Sequence, residues 1–234
     1  MTVFTTPGRA ILGGSFNPPH TGHLRLAVEV REALGNLITG VDLVPCAVPP
    51  HKDATGLLPF ALRASMVDAC IKNVPWLACN RLEARRQGPS FTWDTLLAYR
   101  EAEPHRELYF ILGIPDFAQL PLWHHGLDLP RLCHFVVVPR DDVREADFTA
   151  IIEKNWPTAQ EHPPLLANGL CRKLPGGGLA LFLPVPRIAI SSSQIRQLWL
   201  AGRSVDFLLP DVVVTMLREH KADIGKHWSG LARG

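Results

Sequence analysis

Short apolar runs recur along the chain at Ala10–Gly13, Val41–Pro45, Trp76–Leu82, Leu108–Leu112, Cys133–Val138 and Leu179–Leu183. They are rich in Val, Ile and Leu and lack polar alternation, as strands covered on both faces do. Between them, apolar residues return every three or four positions, which predicts helices over 22–35, 59–72 and 92–102 and, less distinctly, 114–131. Strands alternating with helices imply crossover units and a parallel sheet, hence a doubly wound α/β fold. After Pro139 the rhythm breaks. The stretch "RDDVREADFTAIIEKNWPTAQEHPP" is polar and dotted with prolines, and "LPGGGLALF" reads as a turn into another strand. Two helices, near 192–201 and 210–221, close the chain. Without repeats or low-complexity tracts, the expectation is a single domain over 1–234 with a C-terminal helical portion from about 190.

Composition adds limits. Of 234 residues, 47% are hydrophobic and 20% charged, enough for a proper core. A net charge of +2 is too balanced to suggest nucleic acid or an acidic membrane as partner, so any anion site must be local. Five cysteines (Cys46, Cys70, Cys79, Cys133, Cys171) form no C-x-x-C pair and fit reduced, mostly buried thiols. The start "MTVFTTPGRA" lacks the pattern of a signal peptide and no apolar run is long enough to span a bilayer, so a cytoplasmic protein is expected.

Ligands in doubly wound sheets bind at the carboxyl ends of strands where strand order reverses. The stretch "ILGGSFNPPHTGHL" stands at such a place, with Gly13-Gly14 closing the first strand and His20 and His23 opening the helix. It is neither G-x-G-x-x-G nor a Walker loop. On a helix starting near Gly22, residues Leu26, Ala27, Val30, Ala33 and Leu34 form the apolar stripe, and His23 falls in its middle. A lone histidine there is more often a core residue. Helix side chains tilt toward the N-terminus, however, so a first-turn histidine aims above the sheet, within reach of His20. Helix first turns favour acids, yet this one carries His23 and Arg25 and no acid before Glu29. The anomaly recurs in "ISSSQIRQLWLAG", where Ser191, Ser192 or Ser193 can cap a helix whose first turn holds Arg196. Two basic helix starts favour a polyphosphate held on amides, hydroxyls and positive side chains.

These residues carry a resemblance. "GGSFNPPHTGHL", with the His-x-Gly-His element His20-Thr21-Gly22-His23, and "ISSSQIR" resemble the two signatures of the nucleotidyltransferase superfamily. The stretches "LVPCAVPPHK", "LEARRQGPSFTWDTL", "LPLWHH", "FVVVPR" and "LLPDVVVTMLREH" narrow it to the bacterial nicotinate-nucleotide adenylyltransferases; only about 141–180 lies outside the match. The resemblance implies a Rossmann-like nucleotidyltransferase fold, with ATP and nicotinate mononucleotide as substrates and a homo-oligomer left open. It places His20, His23 and Arg196 in catalysis, His23 at the α-phosphate, with Ser192, Ser193 and Arg196 at the β/γ end. Gly13, Gly14, Ser15, Phe16, Gly22, Gly113, Asp116 and Ser191 would complete the ATP site. Lys52, Ser90, Thr92, Trp123 and His124 would hold the mononucleotide, with Trp123 stacked on the pyridine ring. Mg²⁺ would ride on the ATP phosphates, since no cluster of protein carboxylates offers a cage.

Two positions depart from the family pattern. Gly113-Ile114-Pro115-Asp116 sets the acid one place later than the usual Gly-x-Asp, and Phe91 replaces the commoner tyrosine. Alternative readings are transfer to another phosphorylated acceptor, such as nicotinamide mononucleotide or phosphopantetheine, and a catalytically silent nucleotide-binding protein. Intact His20, His23 and Arg196 oppose the silent reading, and Trp123 with Lys52 opposes phosphopantetheine.

Overall fold

The computed structural model describes residues 7–50, 55–139, 145–166, 169–186 and 188–229. The predicted apolar runs become β1 (Gly8–Gly14), β2 (Ile38–Pro45), β3 (Leu77–Cys79), β4 (Leu108–Gly113), β5 (His134–Val138) and β8 (Leu179–Phe182), joined by β6 (Gln160–Glu161) and β7 (Leu170–Lys173). Together they form one sheet in the order β3-β2-β1-β4-β5-β8-β7-β6. β1 pairs in parallel with β4, β4 with β5 and β5 with β8. The chain leaves β1 for β2 and β3 on one side and returns to β4 on the other, so strand order reverses at the β1/β4 seam. Gly14 and Gly113 end those two strands, which puts the crevice of a doubly wound sheet at glycines the sequence singled out.

The helices are α1 (Thr21–Leu34), α2 (Phe60–Ile71), α3 (Thr92–Ala102), α4 (Ile114–Ala118), α5 (Glu145–Asn155), α6 (Ser192–Leu200), α7 (Asp211–Glu219) and α8 (Lys221–Trp228). No described helix is long and apolar enough to cross a membrane. The chain falls into two compact units built from discontinuous segments. The first gathers Met1–Gly13, Ala27–Asp42 and Phe91–Arg187; the second gathers Gly14–Leu26, Leu43–Ser90 and Ile188–Gly234.

Three expectations are corrected. The helix expected over 114–131 stops after α4 and gives way to 3-10 turns at Leu120–Leu122 and Gly126–Arg131. Pro121 and Pro130 cannot donate helix hydrogen bonds, and His125 takes a left-handed φ of 50°. A Cβ at Gly126 would sit 1.9 Å from the Leu120 carbonyl oxygen, so the turn requires glycine. The sheet is also not wholly parallel, because β7 runs antiparallel to β8, and β6 to β7. Gly176 and Gly177, at φ of 97° and 100°, make the β7–β8 turn, and the charged, exposed β6 blunts the sheet edge. Finally, among the described residues three helices, not two, follow Ser191. α8 buries Ile224 and Trp228 against Met66 of α2, Ile195 of α6 and Val213, Val214 and Leu217 of α7.

In the first unit, polar groups at the N-terminal ends of β4 and β5 brace the fold. The Leu179 amide donates to His134 Nδ1 at 2.9 Å, so the neutral ring carries its proton on Nε2, which lies 3.1 Å from a Glu107 carboxylate oxygen. That hydrogen bond, aided by the Arg100 guanidinium and opposed by burial, holds Glu107 below its ordinary carboxylate range. A depressed carboxylate pKa stabilises the fold above the unfolded pKa, and that contribution is lost as pH falls through the folded value. Glu107→Gln is therefore expected to lower the Tm near pH 7 and to approach wild type below about pH 4. Thermal melts across pH check this; a Tm gap that stays constant into acid contradicts it.

Candidate active site

Within the second unit, the loop after β1 runs from Ser15 to His20 and hands over to α1 at Thr21. Phe16 is fully buried at a φ of 45°, a strained value for a bulky residue and one that marks functional loops. Asn17 is buried too; its amide nitrogen donates to the Gly56 carbonyl at 2.7 Å, and its oxygen accepts from the Leu58 amide at 3.1 Å. Sequence reading missed this strut. The signal was present as a polar residue fixed between a buried aromatic and two prolines.

The first-turn histidine has a definite geometry. His23 Nδ1 accepts from the His20 amide at 3.2 Å, the return contact that Glu or Gln makes from the third helical position in a capping box. The missing first-turn acid is thereby explained, because His23 supplies its acceptor. With Nδ1 accepting, the neutral ring carries its proton on Nε2. The His20 and His23 rings stack with centroids 3.6 Å apart and planes at 26°, and Phe16 meets His23 edge-on at 4.8 Å. His23 is half-buried, not sunk in the apolar stripe as a core histidine would be. A Cβ at Gly22 would meet His20 Nδ1 at 3.0 Å, so the glycine lets the His20 ring lie against the helix start.

The second signature joins the first. Ser191 is the N-cap of α6, its hydroxyl accepting from the Gln194 amide at 3.2 Å. Ser192 Oγ donates to the Pro18 carbonyl at 2.9 Å. Arg196 donates from Nη1 to the Asn17 carbonyl at 2.9 Å and from Nη2 to Ser193 Oγ at 3.0 Å. Burial lowers the Arg196 pKa, yet a guanidinium stays charged in proteins. His20, His23, Ser191, Ser192, Ser193 and Arg196 thus form one connected group around the Ser15–His20 loop. Ser90 has a different employment here: its hydroxyl accepts from the Ala47 and Val48 amides, each at 3.1 Å, and fixes the loop after β2. Lys52 lies outside the described residues.

The first unit holds the remaining candidates. Trp123, half-buried, meets Phe110 edge-on at 6.5 Å, and the exposed His124 lies over Phe91 at 4.5 Å with planes tilted 31°. Thr92 is the first residue of α3, which no side chain caps at Phe91. Gly113 is the N-cap of α4, and Asp116 lies in its first turn, where a carboxylate complements the helix dipole. Pro115 takes an early helical position, a place that tolerates proline. At Gly13 a Cβ would have only the Phe110 ring within 4 Å, at 3.7 Å, an ordinary contact.

A family model described as cytidylyltransferase-like matches residues 11–198, from β1 through most of α6, and so includes both signatures. A Pseudomonas putida protein named "Probable nicotinate-nucleotide adenylyltransferase" is 36% identical over 212 residues, 90% of this chain and 88% of its own length. A Pelobacter propionicus protein of the same name is 35% identical over 224 residues, covering 90% and 95%. The chain belongs to the nicotinate-nucleotide adenylyltransferase family. The fold of a Plasmodium falciparum nicotinic acid mononucleotide adenylyltransferase, solved in complex with NaAD, superposes with a TM-score of 0.68 over 92% of this chain and 96% of that one, at 19% identity.

Proposed function

We propose that the protein transfers the adenylyl group of ATP to nicotinate mononucleotide, forming nicotinate adenine dinucleotide and pyrophosphate. The joining of the two signature segments through Arg196 and Ser192 carries this reading, because it gathers two helix starts, two histidines and a guanidinium around one loop. An oxygen of the mononucleotide phosphate attacks the α-phosphorus, and the bond to the oxygen bridging to the β-phosphate breaks as pyrophosphate leaves. The attacking oxygen is already anionic, so no base is needed. The protein's work is alignment and neutralisation of charge.

His23 Nε2–H is assigned to the α-phosphoryl oxygens, His20 to the neighbouring phosphates, and Arg196 with Ser193 to the leaving end. Gly13 and Gly14 leave room for the nucleotide at the strand end, and the aromatic groups at Trp123 and Phe91 take the pyridine ring. Burial pushes the Cys70 thiol up to about 12 and those of Cys79 and Cys171 to about 11, and it raises Cys133 as well. Those thiols supply no thiolate nucleophile near neutral pH, in keeping with direct displacement. Among the described residues, no three His, Cys, Asp or Glu side chains group to hold a metal. Magnesium is therefore assigned to the nucleotide's own phosphates, where it would neutralise charge on the departing pyrophosphate.

Pyrophosphate release with ATP, magnesium and each acceptor in turn tests the reading. Turnover is expected with nicotinate mononucleotide, and folded protein that releases none above background with that pair overturns it.

A further inference from the structure

Arg63 lies on the buried face of α2 with no solvent exposure, in phase with Met66 and Val67, where sequence reasoning expects an apolar residue. Its Nε donates to the Leu58 carbonyl at 2.8 Å, Nη1 to that of Ser15 at 2.6 Å and Nη2 to that of Cys46 at 2.8 Å. The Phe60 ring centroid lies 5.6 Å from the guanidinium carbon. These carbonyls belong to the turn before α2, the signature loop and the loop after β2, all within the second unit. Burying a guanidinium is costly unless its donors are satisfied, so its retention here calls for a role.

The loop it grips shows a pattern. The Gly14 carbonyl accepts from the Cys46 amide at 2.8 Å, Ser15 from Arg63, Asn17 from Arg196 and Pro18 from Ser192. A polyphosphate offers only acceptors, and a carbonyl oxygen turned toward it repels. A loop whose carbonyls are claimed by donors from neighbouring elements is suited to an anion.

We propose that Arg63 is a positioning residue for nucleotide binding and adenylyl transfer: by holding the Ser15 and Cys46 carbonyls together, it sets the shape of the loop that leads into His20 and His23 before ATP arrives. This rests on the adenylyl-transfer reading. Preorganisation of this kind lowers the ordering cost of binding and keeps reacting groups aligned. The planar guanidinium reaches three carbonyls in different directions, and an ammonium cannot reproduce that fork.

The test compares Arg63→Lys with Met66→Ala, a buried substitution on the same helix that leaves the loop's hydrogen bonds intact. For Arg63→Lys, kcat/KM for ATP is expected to fall roughly 10²-fold per folded molecule, the size of effect that small misplacements produce. Amide hydrogen exchange in the peptide spanning residues 14–20, measured without nucleotide, is expected to accelerate while that of α7 and α8 stays unchanged. Met66→Ala is expected to lower the Tm but keep wild-type kcat/KM and loop exchange. Arg63→Lys that melts earlier yet keeps wild-type kcat/KM and loop exchange overturns the proposal. If Arg63→Lys does not fold, Phe60→Leu removes only the ring against the guanidinium. It should then accelerate exchange in the same peptide and raise the KM for ATP several-fold, and wild-type values for it overturn the proposal equally. The exchange measurement needs no substrate, so inactive wild-type protein counts against the proposed reaction and leaves the loop-setting role to be decided by exchange.

Discussion

Replacing His23 with alanine is expected to cut turnover by about 10²–10³, the loss seen when one preorganised donor to developing charge is removed. The geometry separates this loss from a folding defect. His23 Nδ1 is committed to the His20 amide, so the alanine variant also loses a helix-capping contact, at about 0.5–2 kcal/mol. For a chain of this length that corresponds to a Tm decrease of roughly 1–8 °C. His23→Gln distinguishes the two roles. Glutamine supplies the same capping acceptor from the third helical position, so the Tm should recover. A flexible neutral amide in place of the imidazole should not restore the transition-state contact, so turnover should stay low. Steady-state kinetics per folded molecule, beside melts of all three proteins, decide the matter. Recovery of both quantities in His23→Gln would show that His23 serves the fold alone.

Much of the architecture is legible in the sequence because the central strands are covered on both faces. Leu108–Gly113 and His134–Val138 are almost wholly buried, and continuous burial leaves an apolar run that needs no partner to be recognised. The two helix starts are legible for the opposite reason. His23 violates the charge preference of a first turn, and such local exceptions mark function; Arg196 reads as a second one when Ser193 is taken as the cap, but the Ser191 cap moves it to the fifth helical position. The hidden features depend on contacts distant in the chain. β6 and β7 are short and mixed in polarity, and they pair only because the glycine turn returns the chain beside β8. α8 carries Gly225 in its interior, which weakens its helical signal, and it forms by burying Ile224 and Trp228. Arg63 drew no reading from the sequence, because a helix arginine is ordinarily a surface charge. Its phase with Met66 and Val67 was the available clue, the same kind of clue that singled out His23.

Acceptor choice should favour nicotinate mononucleotide over nicotinamide mononucleotide by roughly 10- to 1000-fold in kcat/KM. The two differ by a carboxylate against a neutral amide. α3 begins at Thr92 without a side-chain cap, and the N–H groups of an uncapped first turn attract a carboxylate. Charge-assisted bonds to that carboxylate are about twice as strong as neutral ones. The amide instead turns an NH₂ toward some of the same donors and leaves one unsatisfied, at about 1–3 kcal/mol. Asp94 is the acid in that turn, but it stands two residues beyond Thr92, about 200° around the helix, and so projects from the other side. Phe91 supplies no hydroxyl in place of the commoner tyrosine; its ring lies 4.5 Å from that of His124, which leaves the charge preference to the helix start. Of the two departures from the family pattern, Phe91 is neutral and Asp116 belongs to the first turn of α4. Comparing kcat/KM for the two mononucleotides under identical ATP and magnesium decides the point. A ratio near one, or a preference for the amide, would mean that the start of α3 does not receive the carboxylate.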